Sequence, residues 1–208
     1  MRTFLGVAFA ILVLSLGEQA QVCGRYQIHV KVSDSTSHPI KNADVKLSPI
    51  TTDETRGKQF VRDASDPSTF SVTFTEGDDL RAFHMLTVSA PGFDPAELKA
   101  TFVSCEGRTI TVGLQKASSG EKPVWHFDNH LTVEADGPNG RWAENVTFRI
   151  TNADTSEVVS DKKLDLGYQS LYVPNGTYLI TLKAADGQML TSTVDLTVLE
   201  DRALKFKF

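Results

Sequence analysis

The chain has 208 residues, 40% of them hydrophobic and 23% charged, with a formal net charge of -5. Mild acidity without a basic stripe leaves no electrostatic footprint for nucleic acid or an anionic membrane. The densest basic spots, Lys162-Lys163 and Lys205 with Lys207, read as solvated faces.

The chain opens with one positive charge, Arg2, then an apolar run from Phe4 to Leu16 and small residues at Ser15, Gly17 and Ala20. This is the layout of a secretory signal peptide, expected over residues 1–20, with cleavage after Gly17 or Ala20 left open. As a helix the run would reach about 20 Å, short of the roughly 30 Å hydrocarbon core, so no membrane span is expected once the signal is removed. A secreted, periplasmic or cell-surface location follows. In that oxidising setting the two cysteines, Cys23 and Cys105, are expected to form a disulfide closing an 82-residue loop. A lipid anchor on Cys23 is disfavoured by the Ala20-Gln21-Val22 that precedes it.

Beyond the leader, apolar residues alternate with period two, the mark of strands with one buried face. Tyr26, Ile28, Val30 and Val32 point inward while Gln27, His29 and Lys31 point to water. The stripe continues through Val45 and Leu47; Phe70, Val72 and Phe74; Leu86, Val88 and Ala90; Leu98, Ala100 and Phe102; and Ile110, Val112 and Leu114. Turn residues separate the runs: Ser37-His38-Pro39, Glu76-Gly77-Asp78, Pro91-Gly92-Phe93 and Glu106-Gly107. Short strands at this spacing predict a β-sandwich over residues 21–115. A polar stretch over residues 116–123, Lys116 to Pro123, then interrupts the pattern as a short linker.

The second half, residues 124–208, runs through the same elements in the same order, and such internal repetition implies one small domain built twice. Met85 to Ala90 returns as Leu179 to Ala184, and Ile28 to Asp34 as Leu131 to Asp136. Asn42 to Leu47 returns as Ala143 to Phe148, Val72 to Gly77 as Leu171 to Gly176, Leu98 to Val103 as Val194 to Leu199, and Ile110 to Leu114 as Leu204 to Phe208. Within this half, Val173-Pro174-Asn175-Gly176-Thr177-Tyr178 reads as strand, tight turn and strand, with Asn-Gly where φ must become positive. The fold class is therefore all-β, two tandem Greek-key β-sandwich domains of transthyretin or immunoglobulin type after a signal peptide.

Pro39 to Leu47, followed by Phe83 to Ala90 and Pro91-Gly92-Phe93, resembles the carboxypeptidase regulatory-like domain. The second half resembles it more loosely, through Pro174 to Tyr178. The resemblance implies a transthyretin-type seven-stranded Greek-key sandwich in two copies, no catalytic residues, and an accessory role. This chain departs from the pattern in a longer stretch from Ser48 to Ser68.

Candidate chemistry is sparse. His126, Asp128 and His130 would share one strand face, opposite Trp125, Phe127, Leu131 and Val133. Neighbouring same-face side chains lie about 7 Å apart and the outer histidines about 13 Å, so a metal site would need a bulge or bend. Asn152 to Glu157 and Asp136 to Asn139 offer oxygen ligands for calcium but follow no EF-hand pattern, and Asx-rich turns are far commoner. No His-Glu-x-x-His, Gly-x-Ser-x-Gly or phosphate loop is present, and no cofactor is expected. Trp142, beside Arg141 in the loop Pro138-Asn139-Gly140-Arg141-Trp142, is the better hint, because a loop tryptophan beside a charge can stack on a sugar ring. Phe93 and Trp125 read as packing residues, Trp125 at the joint between domains. The expected function is a non-catalytic structural or protein-binding role, with an extracellular or envelope protein as partner. The alternative is a carbohydrate-binding module built on Trp142 and Arg141, and a metal-dependent enzyme ranks below both.

Overall fold

The computed structural model describes residues 25–50, 58–75, 83–101 and 107–208. The apolar leader, Cys23, Cys105, Phe102, Asp53-Glu54 and Asp78-Asp79 lie outside those residues. The described chain is all-β, with one 3-10 turn at Pro138–Gly140 and no α-helix.

In the first half, β1 (Arg25–Asp34) is the centre of a sheet. It pairs antiparallel with β5 (Thr69–Thr75) and parallel with β8 (Arg108–Leu114). The facing sheet has the order β3 (Lys58–Gln59), β2 (Asp44–Pro49), β6 (His84–Ser89), β7 (Ala96–Ala100). β4 (Val61–Arg62) edges the first sheet on β5. The stretch from Ser48 to Ser68 thus supplies one short edge strand to each sheet. The alternating residues meet between the sheets: Ile28, Val30, Leu86, Val88, Ile110, Val112 and Leu114 are fully buried.

The second half repeats the plan. β10 (Asp128–Asp136) pairs antiparallel with β13 (Tyr168–Pro174) and parallel with β16 (Arg202–Lys207). Opposite lies the order β12 (Val158–Lys163), β11 (Thr147–Asn152), β14 (Thr177–Lys183), β15 (Met189–Asp195). Leu131, Val133, Phe148, Ile150, Ile180 and Leu182 fill a second, separate core.

The joint is built from paired backbone as well as side chains. β9 (Val124–His126) continues almost directly into β10, yet pairs antiparallel with β8 and so extends the first sheet. Phe127, between β9 and β10, is buried in the first core. Leu199, from the connection between β15 and β16, enters the same core and bridges to Ala100 on β7, with the Thr101 N–H donating to the Leu199 carbonyl at 2.7 Å. β3 and β4 are nearly continuous and close one side of the first sandwich, so the β7 and β8 edges bound the other. That other side is closed by β9, Phe127 and Leu199 from the second half.

Polar groups at the joint are met. Asn129, fully buried, donates from Nδ2 to the Leu196 carbonyl and accepts the Glu200 N–H on Oδ1, both at 2.8 Å. Asn175 Nδ2 donates to the Trp125 carbonyl at 2.9 Å, and its Oδ1 accepts the Phe127 N–H at 3.2 Å. The buried Arg108 guanidinium pairs with Asp201. Trp125 and Phe93 both pack against the first core. Buried backbone and side-chain polar groups are costly unless partnered, so this set fixes one arrangement of the two halves.

The Asn175-Gly176 turn differs from its expected form. Of the two residues only Gly176 has a positive φ, 154°, and the Asn175 side chain turns back to hold the β9–β10 junction. The hairpin geometry that an Asn-Gly pair favours gives way to the tertiary hydrogen bonds that the asparagine makes here.

Candidate functional site

After β10 the chain turns through Gly137 and the 3-10 turn Pro138–Gly140, and folds back so that Ala143 N–H donates to the Ala135 carbonyl at 2.8 Å. The returning segment carries Trp142, which bridges to Asp136. Facing it is the tight turn that carries the chain from β12 in one sheet to β13 in the other, Asp165-Leu166-Gly167-Tyr168, closed by Tyr168 N–H to the Asp165 carbonyl at 3.0 Å. Leu166 has φ +46° and Gly167 φ +78°, the two positive values that a type I′ turn requires.

Gly167 is needed twice over. Besides its φ, a Cβ there would lie 2.7 Å from the Trp142 Cβ and 3.1 Å from the Ala135 carbonyl oxygen. The indole is therefore seated directly on the turn backbone, which the Ala135 N–H to Gly167 carbonyl bond of 2.8 Å ties to β10. Trp142 and Tyr168 stand with ring centroids 6.2 Å apart at 45°. Both are 49% exposed, and Leu166 at the turn tip is 77% exposed. An apolar side chain held in the left-handed region and pointing into water costs about 1–2 kcal/mol in backbone strain alone.

Trp142, Leu166 and Gly167 border a cleft of about 640 Å³ whose polar lining includes Arg141, Glu144, Asn145, Lys163 and Asp165. A second recess of about 440 Å³ shares Arg141 and Trp142. Lys163 donates to Asn145 Oδ1 at 2.8 Å across the first. Rigid aromatic surface beside adaptable hydrogen-bonding groups suits a polar ligand with apolar faces. Arg141 and Trp142, the sequence candidates, thus stand together, and Leu166 and Tyr168 join them.

The histidine segment is divided between the halves. His126, on β9, pairs in register with Thr111 of the first sheet, whereas His130, on β10, pairs with Tyr172 of the second, ring centroids 5.3 Å apart. Asp128 lies between, its carbonyl 3.4 Å from Arg108 Nη1. Among the described residues no three metal-capable side chains gather. At the calcium candidate after β11, Asn152 Oδ1 accepts the N–H groups of Asp154 and Thr155, both at 2.9 Å, the hydrogen bonds of an Asx turn.

Displaced titrations fall on turns and strand faces. Hydroxyl donors hold three carboxyls below their ordinary range: Thr36 on Asp34, Ser65 on Asp63, and Ser68 then Thr69 on Asp66. Burial raises the Tyr178 phenol, and the hydrogen bond to Glu134 raises Lys205.

Sequence reasoning did not single out Leu166, Tyr168, Asn129, Arg108 or Asp201. Two signals were present: Asn129 interrupts the inward stripe Phe127, Leu131, Val133, and Asp165-Leu166-Gly167 places a turn-forming glycine just before Tyr168.

No family model matches the chain, and no curated protein matches it either. Among solved structures it is similar to the Bacillus anthracis TIE protein, at 14% identity over 89% of this chain and 33% of that one, TM-score 0.36. It is also similar to a streptococcal ancillary pilin, at 12% identity over 88% of this chain and 62% of that one, TM-score 0.33. A third, a DUF3823 family protein from Parabacteroides merdae, has 11% identity over 84% of this chain and 99% of that one, TM-score 0.32. The chain spans about a third of the first of these and under two thirds of the second. Likenesses this distant bear no functional weight.

Proposed function

We propose that the chain is an exported, non-catalytic binding module with an accessory or adhesive role, in which two sandwiches form one rigid body that contacts an extracellular or envelope protein. The observation that carries this reading is the joint: strand β9, Phe127 and Leu199 complete the first sandwich, while Asn129, Asn175 and the Arg108–Asp201 pair leave the halves no hinge. A body of this kind holds its end loops and sheet edges at fixed separation, which suits presentation of contacts more than movement. The three lowered carboxyls are held by donors within their own exposed turns, Asp34 by Thr36 and His38, Asp63 by Ser65, and Asp66 by Ser68 and Thr69. The test is capture from the producing organism's envelope fraction with the immobilised full chain, followed by reversible, saturable binding of the purified partner. Absence of any saturable envelope partner would overturn the reading.

A second reading rests on the Trp142 cleft. Half-exposed Trp142 over the polar lining, with Tyr168 beside it, suits a sugar ring, and covering about 100 Å² of indole contributes about 2.5 kcal/mol. A glycan array with the wild type and Trp142→Ala tests it. Loss of 10-fold or more in affinity for a bound glycan is expected, and binding that survives the substitution contradicts the platform.

A further inference from the structure

The connection that carries Trp142 is built twice in this molecule. In the first sandwich the chain leaves β1 and returns through Ser37 (φ 67°), with Asp34 N–H donating to the His38 carbonyl and Ile40 N–H to the Val32 carbonyl. In the second it leaves β10 and returns through Gly140 (φ 69°), with Gly137 N–H donating to the Arg141 carbonyl and Ala143 N–H to the Ala135 carbonyl. The facing turns match as well. Thr69 N–H to the Asp66 carbonyl and Val32 N–H to the Ser68 carbonyl answer Tyr168 N–H to Asp165 and Ala135 N–H to Gly167. Pro39, Pro67, Ser68 and Thr69 thus stand where Trp142, Leu166, Gly167 and Tyr168 do. The backbone frame needs no aromatic side chain at these places, because its first copy is built without one. The acids differ too: Ser68 and Thr69 hold the Asp66 carboxylate, whereas Gly167 has no hydroxyl to offer and Asp165 lines the cleft.

Trp142 lies between two recesses. Arg141, Trp142 and Glu144 line both, of about 640 and 440 Å³, each of a size that takes a small ligand. The first is walled by the turn after β12, with Lys163 and Asp165, and the second by the hairpin between β14 and β15, with Asp186 and Gln188. Lys163, Thr147, Lys183 and Met189 pair in one row across that sheet, so the two walls rise from the same end of it, toward opposite edges. Between two and three strand spacings separate them, about 12 Å, which a single sugar ring does not bridge.

We propose that the second sandwich binds an internal stretch of a neutral polysaccharide, which crosses Trp142 with one ring on the indole and its neighbours in the two recesses. The proposal rests on the sugar-platform reading of Trp142 and adds the ligand's length and charge. Length follows from the paired recesses. Charge follows from their lining, where the carboxylates of Glu144, Asp165 and Asp186 oppose a uronate or sulfated chain. Arg141 and Lys163 set donors among those acceptors, an arrangement suited to vicinal hydroxyls, which donate and accept at once.

The probes are cello-, xylo- and manno-oligosaccharides from one to six units, with an oligogalacturonate series as the charged contrast, titrated into the full chain by isothermal calorimetry. Saturable binding of at least one neutral series is expected, tightening about 10-fold or more from one unit to four. Asp165→Ala and Asp186→Ala, one in each recess, should each weaken the six-unit ligand about 5-fold. The set Trp142→Pro, Leu166→Pro, Gly167→Ser and Tyr168→Thr, which copies the first sandwich, should abolish binding, and Trp142→Ala serves the same end if that set does not fold. Five results would each overturn the proposal: no saturation of any neutral series by about 10 mM, affinity that does not change with length, tighter binding of the oligogalacturonates, an unchanged six-unit affinity in Asp186→Ala, or a proline-rich peptide bound through Trp142 where no oligosaccharide is. If a glycan on the array depends on Trp142 while length brings no gain, the crossing is wrong and the platform stands. If no glycan binds, both are wrong.

Discussion

Arg108, at the start of the last strand of the first sandwich, forms a buried ion pair with Asp201, which leads into the last strand of the second. The two residues are 93 positions apart, and their strands occupy equivalent places in the repeat. Removing the carboxylate takes its charged partner from a guanidinium whose side chain is 7% exposed. Asp201→Ala should therefore cost about 3 kcal/mol in urea unfolding followed by tryptophan fluorescence, Trp125 lying at the joint. A loss under about 0.5 kcal/mol would make the pair a surface contact.

Asn129 satisfies one backbone carbonyl and one backbone N–H in a place water does not reach. Asn129→Ala leaves both unmet, at about 1–3 kcal/mol for each buried group. Asn129→Asp keeps the acceptor and loses the donor to Leu196, so it should retain the Glu200 N–H protection in hydrogen exchange that the alanine variant loses.

The Leu166-Gly167 turn holds Trp142 in place and carries strain of its own. Leu166→Asn should stabilise the chain by about 1 kcal/mol, because asparagine tolerates a positive φ. Gly167→Ala should do the reverse and displace the indole, read as a shift in Trp142 emission in a Trp125→Phe background. If the two substitutions had equal effects, the turn would not be of the type described.

Asp34, Asp63 and Asp66 have folded-state pKa values depressed by hydrogen bonds from neighbouring hydroxyls. A depressed carboxyl contributes stability above its unfolded pKa and loses it as pH falls through its folded pKa. The melting temperature should therefore hold level from pH 7 to about 5 and decline below about 4. Asp66→Asn, which removes one of the titrating groups, should reduce the acid decline. A fall already between pH 7 and 6 would point to histidines instead.

β1 and β8 run parallel with Ile28 opposite Arg108, so the chain enters both strands at the same end of the sheet. Cys23 and Cys105 lie two and three residues before the first residues of those strands. If the chain is exported as proposed, a disulfide between them is expected, with loss of roughly 4.5 kcal/mol on reduction by the loop-closure model. Peptide mapping without reductant checks it, two free thiols being the contrary result.

Much of the fold was legible because burial in a sandwich follows parity. Ile28, Val30 and Val32, Phe70, Val72 and Phe74, and Ile110, Val112 and Leu114 all point inward as their alternation requires. The repeat was legible too, but two of its registers shift by two residues. Ladder pairing sets Val45 and Leu47 against Phe148 and Ile150, and Ala100 against Val194, because a period-two pattern matches itself at every second position. Of the joint, only Trp125 as a packing residue was legible. That β9 belongs to the first sheet, and that Phe127 and Leu199 fill the first core, depends on pairings across the two halves that local pattern does not encode. At the candidate site, Trp142 stood out as an aromatic in a polar loop. Leu166 and Tyr168, 24 and 26 residues later in the chain, became partners only through the fold.

Because the second sandwich completes the first, the halves should unfold together. Differential scanning calorimetry of the full chain reads this out. One transition with equal calorimetric and van't Hoff enthalpies is expected, splitting in the Arg108→Met, Asn129→Ala double variant. Two resolved transitions in the wild type, unchanged by those substitutions, would contradict it.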